Sequence, residues 1–269
     1  MPEGGAGSPI ERLLRRDRLI VVATLAAATA LAWIYVLTGA GMGMPAITMS
    51  GWPTAAGAMP FMAEADWTLG YAALMVAMWC LMMAGMMLPS AAPAILLFSA
   101  LSRQRLGGSG APWAFCAGYL TVWGGFGFGA VALQWALEKL ALMSPEMVVS
   151  SRALGAVLLI AAGLWQLSPL KDVCLAGCRS PIPFLASRWR TGSAGAWRMG
   201  VAHGLHCLGC CWALMLLLFY GGVMNVYWIA GLSLFVLVEK TVATGRLLSR
   251  AAGVGLIAWG GYLLHAILA

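Results

Sequence analysis

Two imidazoles, three thiols and a thioether are packed into HGLHCLGCCWALM, His203 to Met215, a run that is otherwise apolar or glycine. An α-helix turns by about 100° per residue, which puts His203, His206, Cys207 and Cys210 within roughly 100° of arc, Cys211 just outside it and Met215 farther round. One face of such a helix is a candidate site for a soft metal ion. Thiolate and thioether donors select Cu(I), while Cys together with His also suits Zn(II). Gly204 and Gly209 lie among these ligands; they lower helix propensity but let a neighbouring backbone come close and add ligands of its own.

Three other stretches carry unusual chemistry. Met75, Met78, Met82 and Met86 recur at helical spacing, with Met83 and Met87 beside them. A thioether contributes little to a zinc site but is a good Cu(I) ligand, so the stripe favours copper over zinc; as plain packing, the same residues are flexible core filler. Cys174 and Cys178 form a CxxxC pair in a basic segment, able to meet at one ion or to stand idle as reduced thiols. Glu239 and Lys240 adjoin near the end of an apolar run. They read either as a helix-end pair with the lysine snorkelling or as charge balance for a metal–thiolate centre. Cys207 and Cys210 also make a CxxC pair, which opens thiol–disulfide exchange as a rival chemistry. Such pairs usually sit at a helix N-terminus, whereas this one is in mid-helix.

The elements that must position these residues follow from composition. Of 269 residues, 62% are hydrophobic and 9% charged, against about 25% charged in soluble domains, and the mean hydropathy is +0.87. The chain is therefore expected to be an integral membrane protein. Runs long enough for the roughly 20 residues a bilayer requires lie near 19–38, 68–88, 112–136, 150–169, 199–220, 226–245 and 249–268. The expected fold is all-α, a polytopic transmembrane bundle of about seven helices. Pro89 and Pro93 are expected to end or kink the second. No repeat of fixed period signals an inverted-repeat transporter.

The net charge of +7 reads as topology and not as a nucleic-acid patch, because the basic residues gather in particular connections. Arg12, Arg15, Arg16 and Arg18 precede the first run, Arg103 and Arg105 follow the second, Lys171, Arg179, Arg188 and Arg190 precede the fifth, and Arg246 and Arg250 precede the seventh. The positive-inside rule then makes residues 1–18 a cytoplasmic tail and 170–198 a cytoplasmic loop within a single transmembrane domain spanning 19–269. The segment 39–67, with Met42, Met44, Met49, Met59 and Met62 and no Lys or Arg, faces outward. On this topology Met82–Met87, His203–Cys211, Cys174, Cys178 and Glu239 lie at one level in the inner half of the membrane.

Together, MMAGMMLPS (Met82–Ser90), PLKDVCLAGCRSP (Pro169–Pro181), the CxGCCW element within His203–Met215, GGVMN (Gly221–Asn225) and Glu239–Lys240 resemble the bacterial family described as predicted metal-binding integral membrane proteins. Members of that family include copper-delivery proteins for polyphenol oxidases. The resemblance covers about residues 70–265 and implies metal binding and copper supply at the bacterial inner membrane. It carries over Met82, Met83, Met86, Met87, Cys174, Cys178, His203, Cys207, Cys210, Cys211, Asn225 and Glu239; His206, Met215 and Lys240 rest on the residues alone. The expectation is a carrier more than an enzyme, one that binds Cu(I), or Zn(II) as the other option, and exchanges it with a cuproenzyme or a soluble copper chaperone. The rivals are a membrane thiol–disulfide oxidoreductase and a structural subunit of a membrane oxidase.

Overall fold

A computed structural model describes residues 9–50, 66–106 and 110–269; Met59 and Met62 lie outside the described residues. Backbone N–H and C=O groups left unpaired in hydrocarbon cost several kcal/mol each, and every long apolar run is helical. The helices are α1 (Pro9–Leu37), α2 (Leu69–Leu106), α3 (Ala111–Lys139), α4 (Arg152–Leu167), α5 (Pro169–Arg179), α6 (Pro181–Ser187), α7 (Gly192–Leu216), α8 (Leu218–Gly221), α9 (Val226–Thr241) and α10 (Gly245–Leu268). Among the described residues, β-pairing amounts to an isolated bridge between Met143 and Val149.

Among the described residues, five helical stretches are long and apolar enough to cross a membrane, within α1, α2, α3, α7–α8 and α10, and α4 with α5 makes a sixth only as a broken span bent by 64°. The expectation of about seven spans is therefore corrected at two places. The run 150–169 stops at Ser168, whose ψ of 137° is extended, because a residue before proline is driven out of the helical region. The Ser168 hydroxyl then accepts from the Leu170 N–H and starts α5 in a new direction. The run 226–245 yields only the 16 residues of α9, about 24 Å of helix against a hydrocarbon core of about 30 Å.

Pro89 and Pro93 do not end α2, which runs through both. Proline in a membrane helix is tolerated where side chains re-satisfy the freed carbonyls. Side chains also bond the backbone just before Pro89: the Met87 carbonyl accepts from Ser90 Oγ at 2.9 Å and from Tyr119 Oη at 3.1 Å, and the Met86 carbonyl accepts from Ser233 Oγ at 3.3 Å.

Glycines set the closest helix contacts. A Cβ on Gly118 would lie 2.1 Å from the Trp197 carbonyl oxygen and one on Gly200 would lie 2.0 Å from that of Phe115, so α3 and α7 meet backbone to backbone. Gly163 and Gly260 do the same for α4 and α10. Residues 170–198 are mostly helical, with α5 packed on α7 and α6 against α2.

Gly200→Ala should therefore lower the thermal midpoint in detergent, by the roughly 1–3 kcal/mol that overpacking costs. Gly124→Ala, whose Cβ would meet nothing within 4 Å, should not. Equal midpoints for the two variants would refute the close α3–α7 contact.

Candidate metal centre

The CxGCCW element lies in the C-terminal half of α7, and Cys207, Cys210 and Cys211 are fully buried. Cys210 and Cys211 stand three and four positions after Cys207 and so neighbour it on the helix, and Cys178 of α5 comes within interaction range of Cys207 and Cys210. The Cys210 and Cys211 thiols also reach back to the Cys207 carbonyl at 3.0 and 2.8 Å. Four thiols thus form one cluster across the α5–α7 contact. Cys174, one turn earlier on α5, packs on Gly209, where an added Cβ would lie 2.6 Å from its sulfur. The small residue among the ligands is what lets α5 approach. Cys174 and Cys178 are half-buried, so the cluster grades from partly accessible to enclosed.

Cys207 is the hub of the polar contacts. Lys240 Nζ of α9 donates to its sulfur at 2.9 Å and to Ser90 Oγ of α2 at 3.2 Å. Tyr119 Oη of α3 lies 3.0 Å from the same sulfur and donates to the Met87 carbonyl. α2, α3, α5, α7 and α9 therefore all reach one sulfur or its immediate neighbours. An ammonium beside a thiol in a low-dielectric interior supplies the positive charge that a thiolate, or a metal bound to thiolates, requires.

The imidazoles sit to one side. His203 is buried among the rings of Phe115, Tyr119 and Phe184, with centroids 5.4–5.9 Å away and no hydrogen-bond partner on Nδ1. His206 is half-buried, its Nδ1 2.8 Å from the Ala202 carbonyl oxygen and its ring against Gly177. Among the described residues no three His, Cys, Asp or Glu side chains converge as a preformed ligand set. The thiols are contiguous neighbours, not a closed coordination sphere.

Met75, Met78, Met82, Met83, Met86 and Met87 are all buried to 1% exposure or less, so none faces lipid. Met215 is buried on α7 as well. Asn225 is remote from the thiols along the chain and caps α9, its Oδ1 accepting from the Tyr227 and Trp228 N–H groups.

Glu239 and Lys240 do not pair with each other. Adjacent residues on a helix point about 100° apart, and Glu239 turns instead to Lys171 of α5. This fully buried ion pair is completed by Gln166 Oε1 of α4. Lys171 is thus a core residue and not a solvated loop charge, and Lys240 does not snorkel but points at Cys207. Tyr119 and Ser90 belong to the cluster too. The signal for Tyr119 was its hydroxyl in an apolar run, since a buried tyrosine O–H needs a partner.

Apolar helices arranged around a buried group of soft sulfur donors, with one ammonium beside them, define the class of protein. The family model for the PpoB2 copper chaperones matches residues 76–263, and the chain belongs to that family. The matched interval contains every thiol of the cluster, Lys240, and Met78 through Met87 of the stripe. No curated protein and no solved structure matches the chain.

Removing one member of a buried ion pair strands the other, at a cost of about 3–5 kcal/mol. Lys171→Met should therefore sharply lower the thermal midpoint, and adding Glu239→Leu should restore most of the loss. A Lys171→Met protein as heat-resistant as wild type would remove this pair from the account of the fold.

Proposed function

We propose that the protein is a membrane carrier that receives Cu(I) on sulfur and passes it to a cuproenzyme or a soluble copper chaperone. Membership of a copper chaperone family supports copper as the ion. The observation that carries the finer reading is the thiol cluster with a single ammonium, Lys240, bonded into it. Two thiolates on Cu(I) carry a net charge of −1, which Lys240 neutralises. Four thiolates on Zn(II) carry −2 and would leave a buried charge unbalanced, the costly situation in a low-dielectric interior. Lys171 does not make up the difference, because Glu239 already occupies it.

The gradation of exposure supports a direction of handling within the site. Cys174 and Cys178 are partly accessible on α5, while Cys207, Cys210 and Cys211 are enclosed on α7. An ion exchanged at the outer pair moves to the inner three by substitution of one thiolate for another, with no change in its oxidation state. His203 and His206 stand beside this path, and Met82 and Met86, backed by Met83 and Met87, offer neutral thioethers on the adjoining stretch of α2.

The topology in this reading is that of a multi-pass protein of the bacterial inner membrane, with N-terminus, α5 and α6 on the cytoplasmic side. With Lys171 buried in its ion pair, Arg188, Arg190 and Arg198 still stand around the start of α7, and Arg246 and Arg250 at the start of α10. Basic residues near helix ends stay cytoplasmic.

Replacing Cys207, Cys210 and Cys211 with Ser should eliminate thiolate-bound copper, because hydroxyls are hard, weak ligands for Cu(I). X-ray absorption and metal analysis of purified protein read this directly. Unaltered copper–thiolate scattering in that variant would sink the assignment, and disulfide cycling of Cys207 and Cys210 in metal-free protein would move it to the oxidoreductase class.

Topology has its own test. Cysteine introduced at Thr48 should react with impermeant maleimide added to whole cells, and cysteine introduced at Ser187 should react only after lysis. The reverse pattern would invert the protein and put the thiol cluster on the periplasmic side.

A further inference from the structure

A second group of soft donors lies away from the thiols, at the other end of α2. A cavity of about 610 Å³ opens between the segment after α1, the start of α2, the end of α3 and the turn before α9. Its walls include six thioethers, those of Met42, Met44, Met49, Met143, Met147 and Met224. None of these belongs to the α2 stripe, and Met143, Met147 and Met224 are scattered singly through the sequence, so no spacing pattern betrays them. Met147 holds φ at +58°, a left-handed conformation that a long side chain adopts only when its surroundings impose it. Here the Met147 N–H donates to the Ser144 carbonyl, and its own carbonyl accepts from the Val223 N–H. The turn therefore fixes a thioether at the wall of the cavity.

The polar residues of the cavity complement the sulfurs. Glu138 and Glu146 line it, with Lys139 as the opposing charge; the formal sum of these three is −1, which a monovalent cation neutralises. Glu138 is already held, accepting from Trp67 Nε1 at 2.6 Å and from Gln134 Nε2 at 2.9 Å. Glu146 Oε1 and Ser144 Oγ are buried without a hydrogen-bond partner, a condition that calls for a specific occupant.

We propose that this cavity is a second Cu(I) site, a thioether-lined acquisition site that feeds the thiol cluster. The proposal rests on copper being the cargo. Thioethers are neutral soft donors, so they bind Cu(I) in preference to hard cations, and the neighbouring carboxylates supply the balancing charge.

A path continues from the cavity. Leu74 is in its wall, and the next residue, Met75, accepts a hydrogen bond from Gln134 Nε2 at 3.6 Å. Met78, Met82 and Met86 follow at helical spacing, and the Met87 carbonyl is tied through Tyr119 to Cys207. That is about 18 Å of helix with a thioether at nearly every turn. Each step exchanges one sulfur for another on Cu(I), without electron transfer.

The test uses the full chain in nanodiscs, titrated anaerobically with Cu(I) against a chromogenic Cu(I) chelator. Met143→Leu, Met147→Leu and Met224→Leu in combination, a nearly volume-conserving change, should remove one class of bound copper while Cu(I) still protects the α7 cysteines from maleimide. The Cys207, Cys210 and Cys211 to Ser variant should retain the class that the leucine variant loses. If the serine variant keeps all its copper and the leucine variant none, the cavity site stands and the thiol reading falls. A leucine variant with the full copper complement overturns the cavity site. Wild-type protein gives an independent reading that no folding defect can obscure. Ag(I), a redox-inert soft monovalent ion, should slow peroxide oxidation of Met143 and Met147, mapped by peptide mass spectrometry, and unchanged oxidation rates would equally overturn the proposal.

Discussion

A charge in an apolar interior must meet a partner, and this constraint fixes how the helices of the centre meet. Two ammonium groups, those of Lys171 and Lys240, are buried here, and stranding either would cost several kcal/mol. Lys171 draws α4, α5 and α9 together through Gln166 and Glu239; Lys240 draws α2, α7 and α9 together through Ser90 and Cys207. The two requirements meet on α9, where Glu239 and Lys240 are consecutive and turn to different sides. A helix too short to span serves this purpose well, since its end brings both side chains to the depth of the thiols. Any event that changes the charge on Cys207 alters the partner of Lys240, and through α9 it is adjacent to the ion pair that holds α5.

Close packing makes those pairings reachable. α5 lies on α7 only because Gly209 and Gly177 leave room for Cys174 and for the His206 ring, and α3 lies on α7 only because Gly118 and Gly200 do the same. Without the second contact Tyr119 would not reach Cys207 or the Met87 carbonyl. The glycines interspersed with the ligands thus do not dilute the site; they determine which neighbours it has.

Much of this was legible in the chain and some was not, for identifiable reasons. Helical structure followed from hydropathy, since hydrocarbon leaves the backbone few choices. Helical spacing gathered the α7 thiols toward one side of the helix, but it did not say that all six methionines of α2 would be buried. The number of spans did not follow, because hydropathy is blind to Ser168–Pro169, where an apolar run is broken by a local backbone preference. Loop charge counted Lys171 as solvated, because the rule sees position along the chain and not the carboxylate of Glu239 waiting on α9. The pairing of Glu239 with Lys240 failed for a simpler reason, that neighbours on a helix do not face each other. Met143, Met147 and Met224 carry no local signature, and the hydroxyl of Tyr119 signals only that it needs a partner; they become chemistry when α3, the turn at Ser144–Met147 and Met224 are brought to their places.

A carrier has to hold its ion firmly and still give it up, and the geometry bears on how both are possible. Structural zinc sites close four ligands tetrahedrally around the metal and release it poorly. Here, among the described residues, no three His, Cys, Asp or Glu side chains are set to close on a common point, although Cys178, Cys210 and Cys211 all lie near Cys207. In the reading proposed here, Cu(I) is therefore held by few sulfurs at a time, with the next sulfur always within reach. Enclosure in an apolar bundle keeps water and competing donors away, so low coordination need not mean loss of the ion. Lys240 sets the remaining bias. In the proposed reading, a copper bis-thiolate beside its ammonium is neutral overall, whereas copper on the thioethers of the α2 stripe alone remains a cation, so the stripe is a passage to the thiol cluster and not a resting place.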